Sequence, residues 1–267
     1  MPLAVLIILL LPAAGRAQDQ SSAASPPLSR AEKEEFLRNA AIASERELYP
    51  RTLRVSLDDG KRKHDATIQI VDSGNPSSRD VIRLSVAACL LDKALELNLV
   101  QPCVERTVKG QAAVVTWWAD GTAMSEQERR RRNIDPPDVD GWNKQMQAVR
   151  VFDELISNSY RSTSPEFYLT TLWDNLLITR DWKISLTDHK AAFRIARQLE
   201  NPASLVRCDR TLLARLRELK IDTVRPYLTP EELDGLESRR QLLVKHFDEQ
   251  IALRGESAVL YDLPPRP

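Results

Sequence analysis

Glycine is scarce: the 267-residue chain has eight, at positions 15, 60, 74, 110, 121, 141, 235 and 255, and no two stand closer than eleven residues apart. A phosphate-cradling loop needs glycines a few positions apart, so that backbone N–H groups can close on the anion. The Walker loop, the dinucleotide fingerprint and the glycine-rich loop of ordinary protein kinases are therefore excluded. Net charge is lacking as well, with 38 basic residues against 38 acidic ones. That balance argues against a nucleic-acid partner held by bulk phosphate neutralisation. Cysteine is limited to Cys89, Cys103 and Cys208, without CxxC spacing. Three such residues make no zinc site and at most one bridge, and buried free thiols are the expected state. The three histidines form no HExxH pattern: His64 and His246 stand isolated, and His189 reads as structural.

No hydrophobic run is long enough to span a bilayer. Leu3–Leu11 is apolar but short, and Pro12, small residues and the polar stretch Gln18–Ser25 follow it. Gly15 and Ala17 place small residues where a signal peptidase cuts. The reading is a secretory signal over 1–17, an exported product in the periplasm or outside the cell, and no stable membrane span after cleavage.

Over its full length the composition, 42% hydrophobic and 28% charged, is that of a soluble globular protein. Ser29 and Glu32 form a capping-box pair that opens a charged helix running to about Tyr49. Thr52–Leu57 and Thr67–Val71 flank the turn signal Asp59-Gly60 and read as a hairpin. Val81, Leu84, Ala88, Leu91 and Leu95 recur at helical spacing. Val104–Val108 and Ala112–Trp118 then read as two strands, with Trp117 and Trp118 as core residues. Gly121–Gly141, with the basic run Arg129–Arg132, reads as an exposed connection and a solvated helix face. Trp142–Ile156 is an amphipathic helix, and Leu176–Ile178 with Ile184–Thr187 forms a short hairpin that delivers Asp188 at its end. The pattern after Lys190 is helical, and Thr229, Pro230 and Glu232 open the last long helix.

The segment Val151-Phe152-Asp153-Glu154-Leu155-Ile156-Ser157-Asn158, then Arg161, Asn175, Asp188-His189 and Ala192-Phe193, resembles the catalytic segment of atypical kinases. That superfamily includes HipA-type, phosphoinositide and secretory-pathway kinases, and the phrase Asp181-Trp182-Lys183-Ile184-Ser185-Leu186-Thr187-Asp188-His189 is similar to one in uncharacterised bacterial members. The similarity covers roughly 54–247. It implies an α+β, two-lobed protein-kinase-like fold, with a small β-rich N-lobe carrying one helix and a larger, mainly helical C-lobe. The implied divisions are a linker at 18–28, an N-terminal helix at 29–50, an N-lobe at 51–120, a connection at 121–141, a C-lobe at 142–254 and a tail at 255–267.

The resemblance places Asn175 and Asp188 on Mg²⁺. Its other chemical positions are replaced. The phosphate-binding Lys falls on Gln69, its helix acid on Ser85, and the Asp beside the acceptor on Tyr160, between Asn158 and Arg161. A phenol with a pKa of about 10 does not replace a carboxylate ionised at neutral pH. The candidates to restore the charges are Lys61 or Lys63 for the cation and Asp174 or Glu166 for the acid. The reading that follows is a secreted pseudokinase, with ATP and Mg²⁺ binding weak or lost, acting as a binding or scaffold module for a protein or small-molecule partner. The alternatives are an active, divergent phosphotransferase on a protein, sugar or lipid, and a helical interaction protein without nucleotide binding.

Overall fold

The computed structural model describes residues 28–72, 74–158 and 172–266. Helix α1 (Arg30–Asn39) opens as expected. The Glu32 backbone N–H donates to the Ser29 hydroxyl, and the Ser29 backbone N–H donates to the Glu32 carboxylate. It ends ten residues earlier than the sequence suggested. Ala40 turns extended, and Ala41–Tyr49 becomes strand β1, paired antiparallel with β2 (Thr52–Asp58). Nothing local forbids helix in Ser-Glu-Arg-Glu-Leu; the ladder with β2 overrides propensity.

β2 turns into β3 (Lys63–Ile70) through Asp58–Arg62, where Gly60 takes a left-handed φ of 84° and the Asp58 and Asp59 carboxylates accept from Gly60, Lys61 and Arg62 backbone N–H groups. Helix α2 (Pro76–Ala94), β4 (Cys103–Val108) and β5 (Gln111–Trp117) complete an antiparallel sheet of order β1-β2-β3-β5-β4. The sheet coils far enough that Lys109, in the β4–β5 turn, pairs with Glu45 on the opposite edge strand at 2.5 Å.

Alternation sends Val55, Leu57, Ala66, Ile68, Val115 and Trp117 to one face, which Phe36 and Leu37 of α1 cover. Burying each of those two side chains contributes about 1.5–3 kcal/mol. Val114, on the other face, meets Ile82 and Val86 of α2. The same helix turns Leu84, Ala88, Leu91 and Leu95 into the second core, so α2 joins the two parts of the molecule. Arg83 strengthens that joint. Its guanidinium donates to both oxygens of Glu232 (2.6 and 3.0 Å) and to the Tyr227 carbonyl.

The second part holds β6 (Thr122–Ser125), α3 (Glu126–Arg131), α4 (Val139–Ile156), β7 (Leu176–Thr179), β8 (Ile184–Leu186), β9 (Cys208–Asp209), α5 (Arg210–Glu218), α6 (Pro230–Arg254), α7 (Glu256–Val259) and β10 (Leu260–Tyr261). Phe152, Leu155, Ile178, Phe193, Leu236 and Phe247 centre its core. The β-rich first lobe with one inserted helix and the mainly helical second lobe are the α+β arrangement expected.

Several details differ from the expectation. The connection 121–141 contributes β6 as the edge of the β6-β7-β8 sheet. Its basic run is not simply a solvated face, because Arg129 and Arg130 both pair with the buried Glu126 and Arg129 lies 5.3 Å from the Trp142 ring. Residues 190–207 are not α-helical. Buried side chains satisfy their backbone instead: Glu154 accepts the Glu200 and Asn201 N–H groups at 2.8 Å each, and Arg239 donates to the Arg194 and Ala196 carbonyls. The tail is packed: β10 pairs with β9 in parallel, the Tyr261 hydroxyl donates to Lys144 O, and Arg266 donates to Ile184 O. Cys89 and Cys103 are joined in a disulfide rather than free, which staples α2 to β4, and Cys208 remains a buried thiol. Among the described residues, no helix is long and apolar enough to cross a membrane.

Candidate functional site

Gln69 lies near the end of β3, opposite Val114, on the sheet face turned away from Ile68. Ser85 lies in α2, where its hydroxyl donates to the Val81 carbonyl of its own helix at 2.9 Å. Neither position carries charge. Lys61 and Lys63 stand away from Gln69: Lys61 belongs to the β2–β3 turn, and Lys63 starts β3 and pairs with Asp58 at 3.2 Å. Lys63 is six residues from Gln69 along an extended strand, about 20 Å.

The β7–β8 hairpin brings Asn175 and Asp188 together. Leu176 pairs with Leu186, the Thr187 N–H donates to Asn175 O at 2.9 Å, and the Asn175 amide nitrogen lies 3.5 Å from the Asp188 carboxylate. Asp188 takes a left-handed φ of 55°, uncommon for a residue with a side chain and a mark of a site held by its surroundings. The cation on this carboxylate is internal: Lys190 Nζ stands 2.8 Å from the same Asp188 oxygen that Asn175 faces. Asp174 is engaged as well. Its oxygens accept from the Ser125 hydroxyl at 2.8 Å and face the side-chain amide of Gln127.

These side chains pair with one another rather than standing open as a ligand set. Mg²⁺ demands oxygen ligands in octahedral order, and the nucleotide's charge needs cations around its phosphates. Here the Asn175 amide nitrogen faces Asp188, the Lys190 ammonium takes the carboxylate, and Gln69 and Ser85 bring no charge.

Asn158 is buried behind Ser157, the left-handed cap of α4; its backbone N–H donates to Asp153 O, while its side-chain nitrogen has no hydrogen-bond partner among the described residues. Tyr160, Arg161 and Glu166 lie outside the described residues. His189 is buried edge-on to Phe152 at 6.4 Å.

Sequence reasoning missed a second cluster, at the junction of the two sheets. Trp117 is a core residue as expected, but Trp118 is not. Its ring lies 4.1 Å from the Arg54 guanidinium, whose Nε and Nη2 both donate to Asp65 (3.0 and 2.7 Å). His64 is not isolated either. It stacks on Trp117 at 3.6 Å between ring centroids and reaches Asp120 at 2.5 Å. Burial pushes the Asp120 carboxyl up, but hydrogen bonds from His64 and the Trp117 indole outweigh it, leaving the group below its ordinary value. The only sequence signal was the run Trp117-Trp118-Ala119-Asp120-Gly121 directly after a strand. Its partners Arg54, His64 and Asp65 come from the neighbouring hairpin, which no local pattern links to it.

No protein-family model matches the chain, and no curated protein matches it by sequence. Among solved structures it is similar to the crystal structure of a Helicobacter pylori proinflammatory kinase, CtkA, at 12% identity and a TM-score of 0.46, over 81% of this chain and 98% of that one.

Proposed function

We propose that this chain is an exported, kinase-like protein without phosphotransferase chemistry, acting as a binding or scaffold module. The observation that carries this reading is the state of the charged positions. Asn175 and Asp188 stand side by side, as a relic of a metal pair would, yet Lys190 takes the carboxylate and both Gln69 and Ser85 are neutral. Phosphoryl transfer depends almost wholly on positioning and on neutralising phosphate charge. With those charges absent, ATP and Mg²⁺ affinity is weak or lost. The succession of hairpin, helix and hairpin across β2, β3, α2, β4 and β5 supports the kinase-like origin. The Cys89–Cys103 bridge supports export, because disulfides persist in oxidising compartments.

The test is the purified chain incubated with ATP and Mg²⁺ or Mn²⁺, beside Asp188→Ala. A ligand present at 100 times its Kd adds about 2.7 kcal/mol of stability. No thermal shift approaching that, and no labelled phosphate on the chain or on added acceptors, is expected. Transfer that disappears in Asp188→Ala refutes the reading.

A further inference from the structure

The second cluster borders a cleft of about 430 Å³ between the two sheets, with Ser56, Lys63, Asp65, Trp118 and Arg180 in its wall. Its size suits a small molecule, but its lining is polar apart from the one large ring of Trp118. The wall is held rigid. The Trp118 N–H donates to Asp65 O at 3.1 Å, and the Arg180 N–H donates to Gly121 O at 2.8 Å, which pins the β7–β8 turn against the connecting segment.

Arg54 is matched by Asp65 and Lys63 by Asp58, while the Asp120 carboxylate is held by hydrogen bonds with the His64 ring and the Trp117 indole. The Arg180 side chain is exposed and makes no ion pair among the described residues, so its guanidinium is the wall cation left without a carboxylate partner. Lys63 adds an ammonium that is 71% exposed and held only by a surface pair worth little. Arg54 is not part of the wall. It backs the Trp118 indole, fixes the ring, and draws on the electron density that would otherwise attract a cation.

We propose that this cleft is a binding site for a planar aromatic ring carrying a carboxylate or phosphate, with the ring on Trp118 and the anion between Arg180 and Lys63. The proposal rests on the reading of the chain as a binding module and names the ligand class of that module. Arg54 is a positioning residue for the platform, and the Ser56 hydroxyl is a polar group available to orient the ring.

The experiment is calorimetric and fluorescence titration of the full chain with four probes, none a phosphoryl donor: AMP, indole-3-acetate, adenosine, and ribose 5-phosphate. A ring-bearing anion should bind saturably, more tightly than the ring or the anion alone. Binding of AMP but not indole-3-acetate assigns a nucleotide source, and the reverse assigns an aromatic acid. Base–aromatic stacking is strong enough that Trp118→Ala should weaken the complex at least about tenfold, with Trp118→Phe intermediate and still folded. Arg180→Ala should weaken it and flatten its salt dependence. The proposal fails if neither ring-bearing anion binds, or if binding is unchanged in both Trp118 variants. Phosphate transfer from ATP is a separate measurement, so either idea can fail while the other stands.

Discussion

Replacing Arg239 by Met should unfold the second lobe more easily than almost any other single change. Arg239 lies in α6, fully buried, and donates to three main-chain carbonyls: Leu155 and Arg194, both at 2.9 Å, and Ala196. Gly235 clears the space one turn earlier, since a Cβ there would lie 3.0 Å from both Arg194 O and Arg239 Nη1. Hydrogen bonds from a charged donor contribute about 1.5–3 kcal/mol each, a gross ~4.5–9 kcal/mol for three. Burial opposes this, pushing the Arg239 pKa down to about 10, with Glu200 and Glu154 acting in the other direction. Met keeps most of the volume but leaves the three carbonyls without donors. Three buried carbonyls left unsatisfied cost about 1–3 kcal/mol each, and allowing for the relieved burial of the guanidinium the net loss is about 3 kcal/mol. Urea unfolding followed by tryptophan fluorescence measures it, and hydrogen exchange should show the 194–201 backbone losing protection first. A midpoint within experimental error of the unmodified chain would refute the argument that buried charges, rather than helix, hold this segment.

The Cys89–Cys103 bridge closes a loop with a sequence separation of 14. Reductant or Cys103→Ser should therefore cost about 3 kcal/mol, read as a lower urea midpoint. Asp120 gives an acid dependence. Its folded pKa lies below its unfolded value, so in the acid range the unfolded chain binds more protons. Its contribution is complete above about pH 5 and is lost as pH falls through about 4 and below. Asp120→Asn should flatten that part of the stability profile, and an unchanged slope counts against the His64–Asp120–Trp117 cluster. Ending the chain after Asp262 removes the Leu263 N–H bond to Asp209, the Asn98 bond to Arg266 O and the Arg266 bond to Ile184 O. At about 1 kcal/mol each, a loss of about 3 kcal/mol is expected in thermal unfolding; no loss would mean that the tail is not docked in solution.

Elements whose information is local were legible in the sequence. The Ser29–Glu32 and Thr229–Glu232 capping boxes, the Asp59-Gly60 turn, the apolar stripe of α2 and the β7–β8 hairpin all depend on residues within a few positions of one another. The hairpin also made the meeting of Asn175 and Asp188 legible, because antiparallel pairing sets residues at its two open ends side by side. The strand at 41–49 was misread as helix for the complementary reason: its identity depends on β2, not on its own composition.

The scarcity of glycine and the neutral charge balance are properties of composition; the first excludes a glycine phosphate loop, and the second argues against a partner held by bulk phosphate neutralisation. The uncharged residues at 69 and 85 are likewise visible in one dimension. Tertiary structure decided which charges neutralise which. Lys190 on Asp188, Gln127 and Ser125 on Asp174, Glu154 on the backbone at 200 and 201, and Arg54 on Asp65 beneath Trp118 are pairings of side chains that packing selects from many chemically equivalent candidates. A sequence states how many charges a chain has. Only the fold, by removing particular groups from water and placing others within hydrogen-bond reach, determines which remain free to meet a ligand, and here that puts Arg180 and Trp118 in the wall of one cleft.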